Sequence, residues 1–521
     1  MRQMGASALR LPWPSEWFTI PRTDNPPPAH RMFAEAEADP SLSREAFKKQ
    51  ETRLRTALVK AQYARLQAGE RALLIVVAGI DGAGKGATVN LLNEWMDPRH
   101  IRTQGFGPPD DLERQLPAFW RYWSALPAKG RTGIVFGSWY APLLFEGARK
   151  HPDTERLDAL ATGIRRFENQ LAADGVQVLK LWFHLSPKAQ KARSKRLLAS
   201  PETAWQVLPE DLLAQKHFDR LRESGHHAIS RTDSPHAPWV VIPSADDNQR
   251  AVAAAQAVLH ALQRGAIRVP AAAVAGAGQA ARRDVLGKLD FSANVDKDDY
   301  ESRLGALQGR LARAMRDPAF RQRSLVLAFE GQDAAGKGGA IRRVTQPLDA
   351  RHYEITPVAA PSPHELSRPY LWRFWRRVPR LGRVAIFDRS WYGRVLVERV
   401  EGFTPPACWK RAYGEINDFE GQLAGHGAIV IKFWMAISRK EQLHRFRERE
   451  ESPYKTFKIT QDDWRNRRKW PDYLTAANEM IARTDTPMAR WHIVATDDKR
   501  LARLQVLEHI VETVEKALGR D

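Results

Sequence analysis

The feature that most constrains this chain is a repeat. Lys85 and Lys337 sit in near-identical glycine-rich loops, and the 252 positions between them recur as a gapless offset along most of the sequence. At that offset Asp97, Arg99 and His100 return as Asp349, Arg351 and His352, and Ser138-Trp139-Tyr140 returns as Ser390-Trp391-Tyr392. Phe167-Glu168 returns as Phe419-Glu420, Lys180 and Trp182 as Lys432 and Trp434, and Arg231-Thr232-Asp233 as Arg483-Thr484-Asp485. So many identities at one offset mark a tandem duplication, and the fold is one domain built twice. The length of 521 residues is compatible with that division. Residues 1–40 read as a Pro/Trp-rich irregular arm, with Pro26-Pro27-Pro28 at its middle and Trp13 and Trp17 as anchors. The first domain is expected over 41–264, an Ala/Gly-rich linker over 265–285 and the second domain over 286–521.

Each half offers a leading helix, a buried strand, a glycine-rich loop and a helix. In the first half the leading helix falls in 41–69, where Phe47, Leu54, Leu58 and Leu66 recur at helical spacing, and the strand is Leu73 to Ala78. In the second half the strand is Leu325 to Phe329. Further strands are expected at 133–136 or 383–387, 176–184 or 428–435, and 239–242 or 491–494, with helices between them. Strands alternating with helices imply an α/β fold: a mostly parallel sheet flanked by helices, with ligands at the carboxyl ends of the strands.

Strand, glycine loop and helix start together make a phosphate-binding loop, in which backbone N–H groups and a lysine face an anion. In the second half Gly331, Gly336 and Gly338 shape the loop, and Lys337 supplies the charge. A nucleotide-binding loop of this kind places Ser or Thr after the lysine to hold Mg²⁺, and here Gly338 stands there. A metal therefore needs other ligands, and Asp333 and Asp388 supply two hard oxygen donors, Asp388 ending the apolar run Val384-Ala385-Ile386-Phe387. The alternative for Asp388 is a strand-end cap on the next helix. Arg389 and Arg394 follow it, and Arg342 and Arg343 lie just inside the helix after the loop, where cations would serve a moving phosphoryl group. The segment 439–469 is very basic, with Arg445, Arg449, Lys455 and Lys458 among its cations and Pro453 dividing two helices. It reads as a helical lid that closes on phosphates, or else as an amphipathic pair whose charges meet Glu441, Glu448, Glu450 and Glu451.

The halves are not chemically equal. At the offset, Asp388 and Arg389 face Phe136 and Gly137, and Arg342 and Arg343 face Asn90 and Leu91. Arg394, Arg449 and Lys458 face Pro142, Leu197 and Gln206. A one-residue gap would instead pair Phe136 with Phe387, but the aspartate and arginine stay absent. The first half keeps Asp81 and Lys85 and is expected to be catalytically degenerate, either structural or retaining a phosphate-binding function, with Asp333, Lys337, Asp388 and Arg389 catalysing in the second.

Composition narrows the partner. A net charge of +20 suits a polyanion such as nucleic acid, an anionic membrane or a phosphate polymer, and it also suits a basic protein with no polymeric partner. The single cysteine, Cys408, excludes an intramolecular disulfide framework and a cysteine-based zinc cluster. No stretch reaches the roughly 18 apolar residues of a membrane span, and Met1 to Arg10 has no signal-peptide core. A cytoplasmic location is expected.

These motifs resemble those of the family-2 polyphosphate kinases. Gly331 to Gly339 with Ile341 is similar to that family's Walker A loop, G-x-D-A-A-G-K-G-G-x-I. Phe387 to Tyr392 with Arg394 is similar to its Walker B segment, F-D-R-S-W-Y-x-R, and Arg445 to Lys458 resembles its lid more loosely. The resemblance covers nearly all of residues 286–510 and, at lower fidelity, most of 41–260. It implies two tandem P-loop kinase-like domains with a short helical lid and phosphoryl transfer from inorganic polyphosphate to a nucleotide. The tandem arrangement is similar to members that convert AMP to ADP; the alternatives are an ADP or GDP acceptor and a noncatalytic polyanion-binding protein. Mg²⁺ is the implied cofactor, with Mn²⁺ as a substitute. The implied partners are polyphosphate and AMP/ADP, with no nucleic acid and no membrane. Two domains in one chain resemble a homodimer of single-domain relatives, and self-association into a homo-oligomer stays open.

Overall fold

The computed structural model describes residues 29–265, 284–453, 457 and 459–519. The arm residues up to 28, most of the linker, Lys455 and Lys458 lie outside these residues. Five strands form a parallel sheet in each half: β1 (Ala72–Gly79), β2 (Ile101–Gly105), β3 (Thr132–Phe136), β4 (Val176–His184) and β5 (Trp239–Pro243) in the first, and β6 (Ser324–Gly331), β7 (Tyr353–Pro357), β8 (Val384–Asp388), β9 (Ala428–Ala436) and β10 (Trp491–Ala495) in the second. The strand orders are β2-β3-β1-β4-β5 and β7-β8-β6-β9-β10. Every strand begins and ends 252 positions from its counterpart, so no insertion interrupts either sheet.

β1 and β6 lie at the centre because both of their faces are covered by helices. Leu73 to Val77 and Leu325 to Phe329 are accordingly continuous apolar runs, buried throughout. The chain then goes to one side for β2 and β3 and to the other for β4 and β5, which places the topological switch point at the carboxyl end of β1 or β6. The phosphate loop begins there. The register pairs Val77 with Phe136 and Phe329 with Asp388, so Phe136 stands where Asp388 does, without a gap.

Two expectations change. Ala29–Glu37, placed in the irregular arm, is a helix whose Phe33 is buried and stacks on His184 at 4.2 Å. The edge strands β2 and β7 were not expected, because Ile-Arg-Thr-Gln-Gly and Tyr-Glu-Ile-Thr-Pro carry polar residues suited to an exposed edge rather than an apolar run. The long helix of the first half matches its expected span at Arg44–Ala68, opened by a Ser43 cap and closed by Gly69 in the left-handed conformation.

The halves meet through equivalent residues, as in a symmetric dimer. Trp123 stacks on its counterpart Trp375 with ring centres 5.7 Å apart and planes 14° from parallel. Arg166 pairs with Asp418 at 3.4 Å, again residues one repeat apart. Arg411 pairs with Asp174, and one apolar cluster runs through Phe167, Leu126, Trp372 and Phe419. No described helix is long and apolar enough to cross a membrane.

Candidate active site

The second-half loop is shaped by residues that tolerate its backbone. Gly331 leaves β6 at φ +136°, and a Cβ there would lie 2.2 Å from the carbonyl oxygen of Met435 on β9. Gly336, at φ +94°, caps the helix Lys337–Thr345, whose first N–H groups open onto the loop. A Cβ on Gly338 would meet nothing within 4 Å, so packing does not dictate that glycine. Lys337 Nζ folds back to the carbonyls of Gly331 and Gln332 at 2.9 and 3.0 Å. Burial lowers its pKa, and the Arg389 guanidinium adds to that, against the opposing carboxylates of Asp333, Asp388 and Glu330.

Three elements bring charge to the loop. Arg389, just past β8, donates to Asp333 Oδ1 at 2.7 Å. Asn466, on the lid helix Gln461–Arg468, donates to Asp333 Oδ2 at 2.9 Å. Arg389 holds φ +64°, a strained value for a residue with a side chain, where the first half has Gly137 at +74°. Burial acts to lower the Arg389 pKa, but Asp333, Glu330 and Asp388 outweigh it and the net shift is upward. The strain is held by Glu330, a buried carboxylate that receives Ser390 N at 2.7 Å and Ser390 Oγ at 2.8 Å. Burial raises the Glu330 pKa.

The lid matches two helices, Arg439–Glu451 and Gln461–Arg468, on either side of Pro453. Arg445 does not face outward. It is buried and donates to the carbonyls of Ala334 and Thr496 at 3.0 and 2.6 Å, pinning the underside of the loop. Arg449 borders a pocket of about 250 Å³ beside Gly336 and Gly339, together with Lys499 and Arg503 from the C-terminal helix Lys499–Ala517. Arg342 is exposed on its helix and Arg343 half-buried, within 3.5 Å of the Gly339 carbonyl. Arg394 is taken up by Glu398 at 2.8 Å, Thr404 and the Tyr370 ring.

Sequence motifs missed Glu330, Asn466, Lys499 and Arg503. The repeat offset contains the signal, since their counterparts are Ala78, Ala214, Asp247 and Ala251. Trp391 and Tyr392 are buried. Both donate to Glu420 Oε1, at 2.9 and 2.7 Å, and Lys432 joins the same buried carboxylate at 2.8 Å. Trp139, Tyr140, Glu168 and Lys180 repeat that network in the first half.

The donors present suit a hard divalent cation. Asp388 accepts no side-chain hydrogen bond among the described residues and lies in the field of Lys337 and Arg389. With Asp333 it makes a two-carboxylate set, and no group of three or more potential ligands occurs among those residues. Two carboxylates completed by phosphate oxygens and water is the usual provision for Mg²⁺ in phosphoryl transfer.

Known proteins resemble the chain over most of its length. The sequence profile of "Polyphosphate kinase 2 (PPK2)" matches residues 41–269 and 294–521. A polyphosphate:AMP phosphotransferase of Pseudomonas aeruginosa is 47% identical over 496 residues, spanning 94% of this chain and 100% of the relative. An ADP-polyphosphate phosphotransferase of the same organism is 36% identical over 223 residues, 43% of this chain and 73% of that protein. A crystal structure of a polyphosphate kinase 2 from Pseudomonas aeruginosa superimposes with a TM-score of 0.84 at 46% identity, covering 94% of this chain and 100% of that one.

Proposed function

Since the chain belongs to the polyphosphate kinase 2 family, we propose that it is a polyphosphate:AMP phosphotransferase that makes ADP in its second half. The observation that carries the site assignment is the convergence of Lys337, Asp333, Asp388 and Arg389 on one loop, a set that only the second half completes. The AMP acceptor is supported by relatives of the same tandem length that bear that name, whereas the ADP-named relative matches less than half of the chain.

In this reading the donor chain enters the pocket beside Gly336, where Arg449, Lys499 and Arg503 neutralise a flexible polyanion much as basic grooves neutralise nucleic-acid backbones. The loop N–H groups hold the terminal phosphates, and Lys337 turns from its carbonyl partners toward them. Mg²⁺ or Mn²⁺ held by Asp333 and Asp388 would neutralise charge on the phosphates. Arg389 leaves Asp333 as that carboxylate is engaged, and its guanidinium then serves the equatorial oxygens of the moving group. The acceptor phosphate is already anionic and needs little base catalysis. Asn466 ties the lid to Asp333, so lid position and ligand geometry change together and water is excluded as a competing acceptor. Arg445 positions the loop from beneath.

The test is phosphate transfer from polyphosphate to AMP, ADP, GMP and GDP with Mg²⁺, run beside ATP as donor. The expected result is faster ADP formation from AMP than ATP formation from ADP. No product from polyphosphate with any acceptor would overturn the reading.

A further inference from the structure

A cavity of about 840 Å³ opens in the half that lacks the strand-end aspartate, over the first phosphate loop. It is much larger than the 250 Å³ basic pocket beside the second loop. At its polar end the loop keeps the backbone of a phosphate cradle. Gly82 and Gly84 stand at φ +78° and +79°, and the helix Lys85–Trp95 starts at the next residue. Lys85 Nζ folds back to the Gly79 carbonyl at 2.8 Å as Lys337 does to Gly331, and it also pairs with Asp81 Oδ1 at 2.6 Å. An apolar stretch of wall follows, made by Phe136, Leu144, Phe145, Trp205, Leu208 and Leu221, beside Arg193, Glu210 and Asp211.

Loss of function alone does not account for this wall. The cations that suit the second half to a polyanion are replaced by groups that exclude one. Arg389, Arg394, Arg449 and Arg503 become Gly137, Pro142, Leu197 and Ala251. Lys499 becomes Asp247, a carboxylate held in place by Arg193 and Arg250. The lid changes in the same sense, with Leu213 and Ala214 where the second half has Arg465 and Asn466. Arg193, the counterpart of Arg445, remains in the wall but is paired with Asp247, and Glu210 and Asp211 oppose further negative charge, so the loop and Lys85 suit a single phosphate group. At the other end Phe145 and Trp205 are each 74% exposed, two aromatic faces at the mouth of a pocket large enough for a base and a sugar.

We propose that this cavity is a noncatalytic binding site for a nucleoside monophosphate, with the phosphate on the Gly82–Lys85 loop and the base against Trp205 and Phe145. The site goes beyond the transfer reaction assigned to the second half and does not depend on which acceptor that half uses. Base–aromatic stacking tolerates any base, so the site discriminates by the number of phosphates more than by the ring.

The test is equilibrium dialysis of labelled AMP against the full chain, without polyphosphate, for the wild type, Lys85→Ala and Trp205→Ala. Trp205 is a surface residue, so its replacement leaves the fold intact, and thermal melts check Lys85→Ala. The expected result is the loss of one bound equivalent in Lys85→Ala and an affinity at least tenfold weaker for that equivalent in Trp205→Ala. Excess inorganic tripolyphosphate should leave that equivalent bound. Unchanged stoichiometry and affinity in both variants, no AMP binding by the wild type, or displacement by tripolyphosphate as effective as by unlabelled AMP would each overturn the proposal. Product formation is not read, so failure of the transfer reaction would leave this result separately visible.

Discussion

The two halves of this molecule have one backbone and two chemistries. Their strands coincide to the residue at the 252 offset, and a buried Lys–Glu–Tyr network occurs in both, as Lys180, Glu168 and Tyr140 and as Lys432, Glu420 and Tyr392. That network is scaffold. Removing one partner of such a buried pair leaves an uncompensated charge and costs about 3–5 kcal/mol, so neither half can drop it. Asp388, Arg389, Glu330, Asn466, Lys499 and Arg503 occur in one half only, and all six lie at the carboxyl end of the second sheet or on its lid and flanking helix. The phosphate loop recurs as well, with Asp81 and Lys85 answering Asp333 and Lys337, so a shared motif reports folding or phosphate binding, and transfer is tied to the residues that break the repeat around that loop. The string Ser-Trp-Tyr, which looks like part of a catalytic signature, belongs with the scaffold.

That comparison can be broken at several points. Exchanging Arg389 for the first half's residue, Arg389→Gly, should lower kcat for ADP formation about 10³-fold, the scale of a lost cation at a transferring phosphoryl group. The mirror change Gly137→Arg should gain nothing, because a Cβ at Gly137 would fall 2.1 Å from the Phe106 carbonyl oxygen. Glu330→Ala removes the acceptor for Ser390 and should lower kcat about 10²-fold with little change in KM for AMP, and Glu330→Gln should recover part of the loss by keeping one hydrogen bond. Arg503→Ala should raise KM for polyphosphate about tenfold and flatten its dependence on salt, measured as initial rates from 50 to 300 mM NaCl on the order expected for one lost phosphate contact.

A smaller difference concerns acid stability. His492 and His509 stack at 4.0 Å in the second half, where the first has Val240 and Ala257. Burial, with His509 alongside, lowers the His492 pKa from its ordinary 6.5 to about 4, and burial also lowers that of His509 against the opposing pull of Glu512. A histidine held neutral when folded is protonated first in the unfolded chain. Stability is therefore full above pH 6.5 and declines as the pH falls toward 4. Denaturant melts at pH 7 and pH 4.5 should show a larger acid loss in the wild type than in His492→Val.

Much of this is legible in the sequence alone. Central strands β1 and β6 and their partners are apolar runs, and the loop glycines, Lys337, Asp388 and Arg389 stand in recognisable order. The polar edge strands β2 and β7 were not legible, since their stability comes from the neighbouring strand rather than from a buried face. Lys499 and Arg503 escaped because a helix after the last strand carries no motif, and only folding brings it beside Gly336. Glu330 reads as the end of a strand until its register next to β8 sets it under Ser390. Arg445 and Arg394 read as cations for a phosphate, yet Arg445 is held by Glu441 and a loop carbonyl, in keeping with the paired-charge reading of that segment, and Arg394 by Glu398.

The division of labour between the halves rests on where turnover occurs. The direct measurement is ADP formation from polyphosphate and AMP by Asp388→Asn, a near-isosteric change that leaves the first half untouched. The account predicts a residual rate about 10³-fold or more below the wild type, since the first half has Phe136 at that position. A residual rate of tens of per cent would place catalysis in the first half as well and contradict the division of labour between the two.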